Sequence, residues 1–332
     1  MAPVVTSLDP NQGRASGGTS VTVNGSGFTG VSAVRFGTFS ASYTVISTTL
    51  IVATSPPGSG TVGVTVIATS GTSNSVPYTY IAAPALTSLA PHQGPTSGGN
   101  TVTLTGTGLS SATAVRFDTR PAVITGNTAT QITVVAPAAP PAPADVTVTT
   151  VGGVSGPLPY FYVPAPTISR LDPWRGPLSG GNTVTITGTN LTLTSAVQFG
   201  TSPATGIVVD SDSVITAKAP SGSGTVTVSA TTPGGTSASG SGTAYYTYLP
   251  APVVSSLAPA SGPTLGGTTV TLTGSGLTYT DEVLFGGVPV PFAAVSDTKV
   301  VAVTPGGTPG TVTVVVRTPA GTTSGIPYQY VA

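Results

Sequence analysis

The stretch "SGGNTVTLTGTGL", residues 97–109, is written four times with small changes. The other copies are "SGGTSVTVNGSGF" from Ser16, "SGGNTVTITGTNL" from Ser179 and "LGGTTVTLTGSGL" from Leu265. A glycine-rich run of this kind has two readings. A phosphate loop puts its glycines at the end of a strand, where they open a helix whose N-terminus faces the anion. Here the Gly-Gly pair precedes an alternating Thr/Val strand, no helical pattern follows, and no Lys lies near any copy. The second reading fits: the glycines turn the chain into a strand, and the later glycine of "TGTG" permits a bulge or a positive φ beyond it.

The phrase recurs because a module recurs. Gly17, Gly98, Gly180 and Gly266 set a period of about 81 to 86 residues, longer than helical solenoid units and suited to a small sandwich. Two further markers keep step with it. One is an apolar-x-Phe trio ending at Phe36, Phe117, Phe199 and Phe285; the other is a closing Tyr-x-Tyr at Tyr78/Tyr80, Tyr160/Tyr162, Tyr246/Tyr248 and Tyr328/Tyr330. Within the second copy, "TVTLTG" puts Val102 and Leu104 on one face and the threonines on the other, and "AVRF" does the same for Val115 and Phe117. Turn signals every 8–12 residues divide the copy into about seven strands. The pattern predicts an all-β chain of four tandem immunoglobulin-like β-sandwich modules, at residues 3–82, 84–164, 166–250 and 252–332.

The combination of a Pro-led first strand, "L-x-P-x-x-G", the Gly-Gly turn, "V-x-F" and the closing "Y-x-Y" resembles the IPT/TIG domain family. The resemblance runs from Pro3 to Ala332 in four phased copies. It implies an early-set immunoglobulin-like fold, of the kind found in bacterial surface proteins, plexin-type receptors, Rel-type transcription factors and beside carbohydrate-active enzyme domains.

Composition narrows the function. Charged residues make up 5% of the 332, with nine basic and nine acidic, so no net charge steers the chain to nucleic acid or an anionic membrane. Arg35 and Arg116 match, but Gln198 and Leu284 replace them in later copies, which leaves no basic stripe. There is no Cys, hence no disulfide, thiolate metal site or Cys nucleophile. No apolar run reaches the roughly 18 residues of a membrane helix. The N-terminus "MAPVVTSLDP" lacks a basic and apolar leader pattern.

The residues that could carry chemistry are few. His92 is the sole His, and any Ser-His-Asp triad would need it. Its turn position holds Asn11, Trp174 and Ala260 in the other copies, which reads as a tolerant loop tip. Trp174, the only Trp, sits beside Arg175. It could stack on a sugar or anchor a partner; packing against the neighbouring module is the preferred reading. Asp210 and Asp212 read as a solvated turn rather than a cation site. Glu282 is the only Glu, and adjacent Asp281 points to the opposite strand face, a poor glycosidase pair. Asp9 and Asp172 precede proline as turn formers. No catalytic residue, metal or cofactor is expected; Trp174, Arg175 and His92 are the candidates for partner contact.

The modules join at "YIAAPAL", "YVPAPTI" and "YLPAPVV", short Ala/Pro joints with few free torsions. With a module spanning roughly 35–40 Å, four in line predict an extended rod of about 150 Å. The expected role is a non-enzymatic structural or interaction protein that spaces or presents surfaces outside the cell, meeting a protein or carbohydrate partner. A part in a virion, injection apparatus or filament, with self-association, is an alternative. A carbohydrate-binding accessory region is another, for which Trp174 is the one aromatic candidate.

Overall fold

The computed structural model describes residues 1–238 and 244–332; part of the stretch "SASGSGTAYY", expected to depart from the repeat, lies outside the described residues. The chain divides into two compact units, Met1–Val163 and Pro164–Ala332. Each holds two β-sandwiches, and each sandwich has its own core cluster.

The first module shows the plan. Its strands are β1 (Val4–Asp9), β2 (Gln12–Arg14), β3 (Ser20–Ser26), β4 (Val31–Phe36), β5 (Phe39–Ser47), β6 (Leu50–Thr54), β7 (Gly60–Ala68), β8 (Gly71–Thr72) and β9 (Val76–Ile81). The pairing order is β1-β3-β6-β5-β4-β7-β9-β2, with β8 on β7. One layer is β1, β3, β6 and the far half of β5; the other is β4, β7, β9, β2 and the near half of β5. The second module repeats this order.

Nine strand segments stand where pattern predicted about seven. The additions are short: β8 has two residues and β2 three. β2 pairs in parallel with β9 through Gln12↔Thr79, Gly13↔Tyr80 and Arg14↔Ile81. Three residues are too few to display alternation, so only the fold reveals this strand.

The Gly-Gly pair is a turn in every module. Gly17 and Gly18 have φ of 79° and 82°, Gly98 and Gly99 64° and 85°, Gly180 and Gly181 65° and 87°, and Gly266 and Gly267 77° and 79°. That region disfavours a side chain. A Cβ on Gly17 would also lie 2.7 Å from the Pro56 backbone, whereas one on Gly18 would meet nothing. At Gly25, Gly106, Gly188 and Gly274 a Cβ would fall on a first-strand carbonyl oxygen, beside the bulge in that pair. Two residues on, Gly27, Gly108 and Gly276 take positive φ, and Asn190 replaces glycine at 58°, a conformation Asn tolerates.

The strand alternation delivers the core. Val102, Leu104, Val115 and Phe117 are fully buried, as are Val21, Val23, Val34 and Phe36 at the matching positions. The first Tyr of each closing pair is fully buried and meets the core Phe edge-on, with centroids 5.0 Å apart in the first three modules and 5.4 Å in the fourth. The second module seats Asn100 against the Tyr160 hydroxyl (3.0 Å), and the third has Tyr246 donate to Asn182 Oδ1 (2.8 Å). The first and fourth carry Thr19 and Thr268 instead, and there the Tyr78 and Tyr328 hydroxyls are buried without a hydrogen-bond partner.

In the third and fourth modules the strand that changes sheets is broken, into Ser202–Pro203 with Thr205–Val209 and Val288–Pro289 with Phe292–Ser296. Gly206 at φ 57° and Pro291, which has no N–H, interrupt the ladder there. Four-stranded and six-stranded sheets result among the described residues.

Candidate binding groove on the third module

The turn after the first strand is fixed by its backbone. The carbonyl at its tip accepts from the closing strand in all four modules: Asn11 from Thr79 N (3.0 Å), His92 from Phe161 N (2.9 Å), Trp174 from Thr247 N (3.0 Å) and Ala260 from Gln329 N (2.9 Å). The turn itself is therefore held by the backbone and not by the side chain at its tip, which explains that residue's variation. His92 is exposed in the second module.

In the third module the tip carries Trp174, 47% exposed. The next residue, Arg175, pairs with Thr247 of the strand Tyr245–Leu249. Along that strand Tyr246 and Tyr248 point inward, so Tyr245 and Thr247 share the outer face. Tyr245 is 44% exposed. Its position is proline elsewhere: Pro77, Pro159 and Pro327. The tip indole and the departure at Tyr245 thus converge on one groove of about 660 Å³. Leu171 is buried in its lining; Ser169, Arg170, Asp172, Thr225 and Thr247 supply polar groups. Arg170 and Asp172 pair at 3.1 Å, both exposed. The Thr225 and Thr247 hydroxyls lie 3.0 Å apart. The groove is aromatic, rich in hydroxyls and neutral in formal charge.

The sequence pointed to Trp174 but missed Tyr245. The signal was present as the loss of a proline that the other three modules share, but the residue adjoins a buried Tyr pair and reads as part of it.

Arg175 faces the fourth module. Its guanidinium carbon is 3.3 Å from the Trp174 ring centroid and 3.7 Å from that of Tyr279. The cation lies between the two rings, whose centroids are 6.5 Å apart. Asp281 and Pro319 of the fourth module line the same cleft. Burial pushes the Asp281 carboxyl above its ordinary value, against the pull of the Arg175 charge. Trp174 therefore packs against the neighbouring module and lines the groove as well.

The remaining acids have local work. Asp212 accepts from the Thr192 hydroxyl (2.9 Å) and Asn190 N (3.3 Å), tying two loops together. Asp297 does the same for Thr278 and Gly276 in the fourth module. Glu282 pairs with Arg317 at 2.8 Å. Among the described residues no cluster of three His, Cys, Asp or Glu could hold a metal.

Four sandwiches in series, each closed by its own aromatic core, define a tandem immunoglobulin-like β protein. The IPT/TIG domain model matches residues 3–80, 84–162, 166–248 and 252–330, and the chain belongs to that family. Among solved structures it is similar to the plexin A4 extracellular region, at 22% identity and TM-score 0.37, covering 97% of this chain and 30% of the plexin chain. It is also similar to invasin, a bacterial integrin-binding protein, at 15% identity and TM-score 0.30, covering 99% of this chain and 79% of invasin. A third is SGBP-B from a xyloglucan utilization locus of Bacteroides uniformis, at 18% identity and TM-score 0.26, covering 69% of this chain and 66% of that one.

Proposed function

We propose that the chain is a non-enzymatic spacer that holds and presents binding surfaces at a cell surface or in an extracellular assembly. The observation that carries this reading is the fastening of the joints inside each unit. In the first unit, the hairpin tip Val151–Gly152 of the second module sits against the first. Gly152 lies against the Ala82 carbonyl and the Ile81 side chain, and Val151 shares a cleft with Pro10, Gln12 and Arg14. In the second unit the corresponding contact is made by Pro319, with Tyr279 and Asp281, against Asp172–Arg175. A joint fastened in this way transmits position, which a spacer requires and a flexible string of modules lacks.

Small-angle scattering on the intact monomer tests this reading. A compact chain of this length would give a radius of gyration of about 20 Å. An in-line spacer of about 150 Å would give roughly 43 Å. A value near 43 Å is expected; a value near 20 Å rejects the spacer role.

A further inference from the structure

We propose that the groove of the third module binds a neutral carbohydrate, with Trp174 and Tyr245 as its stacking surfaces. This deepens the presenting role by naming what is presented.

The repeat supplies an internal control. Four modules share one fold and one core, so a position that departs in a single module without structural cause points to a separate use. Tyr245 is such a position; Trp174 stands at a tip that varies in every module, with one face of its ring taken by Arg175. The tip backbone makes the same hydrogen bond whether the residue is Asn, His, Trp or Ala. Tyr245 stands on the outer face, where proline serves the other three modules. The sandwich needs no ring at Tyr245, Trp174 keeps a groove-lining surface beyond its packing with Arg175 and Tyr279, and both rings line the same groove.

The chemistry of the lining selects the ligand. A pyranose offers an apolar C–H face, which fits an aromatic ring, and a rim of hydroxyls that both donate and accept. Arg175 occupies one face of the indole, leaving the other face and the ring edge for the groove. Around the rings stand Ser169, Arg170, Asp172, Thr225 and Thr247, a mixture of donors and acceptors. Arg170 and Asp172 offset one another, so no net charge favours an acidic ligand. A proline-rich peptide would also stack on aromatic rings, but proline lacks an N–H and offers the polar lining acceptors only, whereas sugar hydroxyls both donate and accept. A volume of about 660 Å³ falls within the range of small-ligand sites and accommodates a short saccharide.

Because Trp174 is the only Trp, its emission reports on the groove directly. The test is a fluorescence titration of the intact chain with soluble neutral oligosaccharides of glucose, xylose, mannose and galactose. At least one is expected to shift Trp174 emission saturably. Tyr245→Pro, which restores the residue of the other modules, should keep the far-ultraviolet circular dichroism and weaken binding at least about tenfold, through loss of one stacking ring. Trp174→Asn, followed by calorimetry, should do the same. Silence across the whole panel overturns the proposal, as does saturable binding that Tyr245→Pro leaves unchanged, or saturation by a polyproline peptide alone. None of these outcomes alters the scattering result that decides the spacer role.

Discussion

The second and third modules share an interior and differ at the surface. Phe117, Tyr160 and Asn100 in one are Phe199, Tyr246 and Asn182 in the other, with the same 5.0 Å edge-on ring contact. The Tyr160 and Tyr246 hydroxyls both find their Asn. Around the groove the correspondence stops: His92, Gln93 and Pro159 become Trp174, Arg175 and Tyr245. A smaller difference lies deeper. Tyr162 donates to the Pro137 carbonyl at 2.8 Å, while the Tyr248 hydroxyl is buried without a partner. The comparison teaches that the fold constrains inward positions and the tip backbone, and leaves the side chains around them free to vary.

The strongest way to break this equivalence is through the core. Phe199→Ala should destabilise the third module by about 3–5 kcal/mol, and Phe117→Ala the second by a similar amount. Trp174 resides in the third module, so denaturant unfolding followed by its emission should shift markedly for Phe199→Ala and hardly at all for Phe117→Ala. An unmoved transition for Phe199→Ala would contradict the core assignment.

The buried amides come next. Asn100→Thr reproduces the first and fourth modules and should cost about 1–3 kcal/mol by leaving the Tyr160 hydroxyl unpaired. Asn182→Thr should cost less, because Asn182 Nδ2 is itself buried without a partner. Equal losses in calorimetric scans of the two variants would erase that distinction.

Arg175→Ala removes the cation between two rings and should cost about 0.5–1 kcal/mol at a partly exposed site. The readout is a change in Trp174 emission together with a shallower unfolding transition of the second unit, as its two modules uncouple. Gln93→Ala, at the matching position of the second module, should leave both unchanged.

The finest difference is in alkali. Burial pushes the Tyr162 phenol up to about 12, with Tyr160 nearby adding to it, and raises Tyr248 less. A phenol held neutral when folded keeps its proton after the unfolded chain has lost its own near pH 10. The contribution of these phenols to stability should be flat below pH 10 and fall as pH rises above it, with the second module's share lost up to about pH 12. Spectrophotometric titration of Tyr162→Phe against Tyr248→Phe should show the later ionisation missing only in the former.

Much of this molecule was legible as repetition. Val102, Leu104, Val115 and Phe117 declared themselves by alternation, and the Gly-Gly pair by its place before a strand. What stayed hidden depends on partners distant in the chain. The three-residue strand Gln12–Arg14 exists only because Thr79–Ile81 runs beside it. Tyr245 looked like one more member of a buried tyrosine pair, since strand direction, not composition, sends it outward. Trp174 drew attention as a lone indole, but its partner Tyr279 is 105 positions further on and has no counterpart in the second module, where Ser111 stands.

In three of the four modules the alanine ahead of the first-strand proline lies beside a glycine of the module it leads into; in the fourth, a Cβ on Gly321 would meet nothing. A Cβ on Gly71 would lie 3.5 Å from the Ala2 methyl, one on Gly153 3.7 Å from that of Ala83, and one on Gly235 4.0 Å from that of Ala165. Inside each unit the fastening at the joint is carried by the module that follows it, through Val151–Gly152 in the first and Pro319, Tyr279 and Asp281 in the second. A gene that gains or loses a repeat of this kind therefore carries the clasp with the module, and such a joint does not have to be invented afresh.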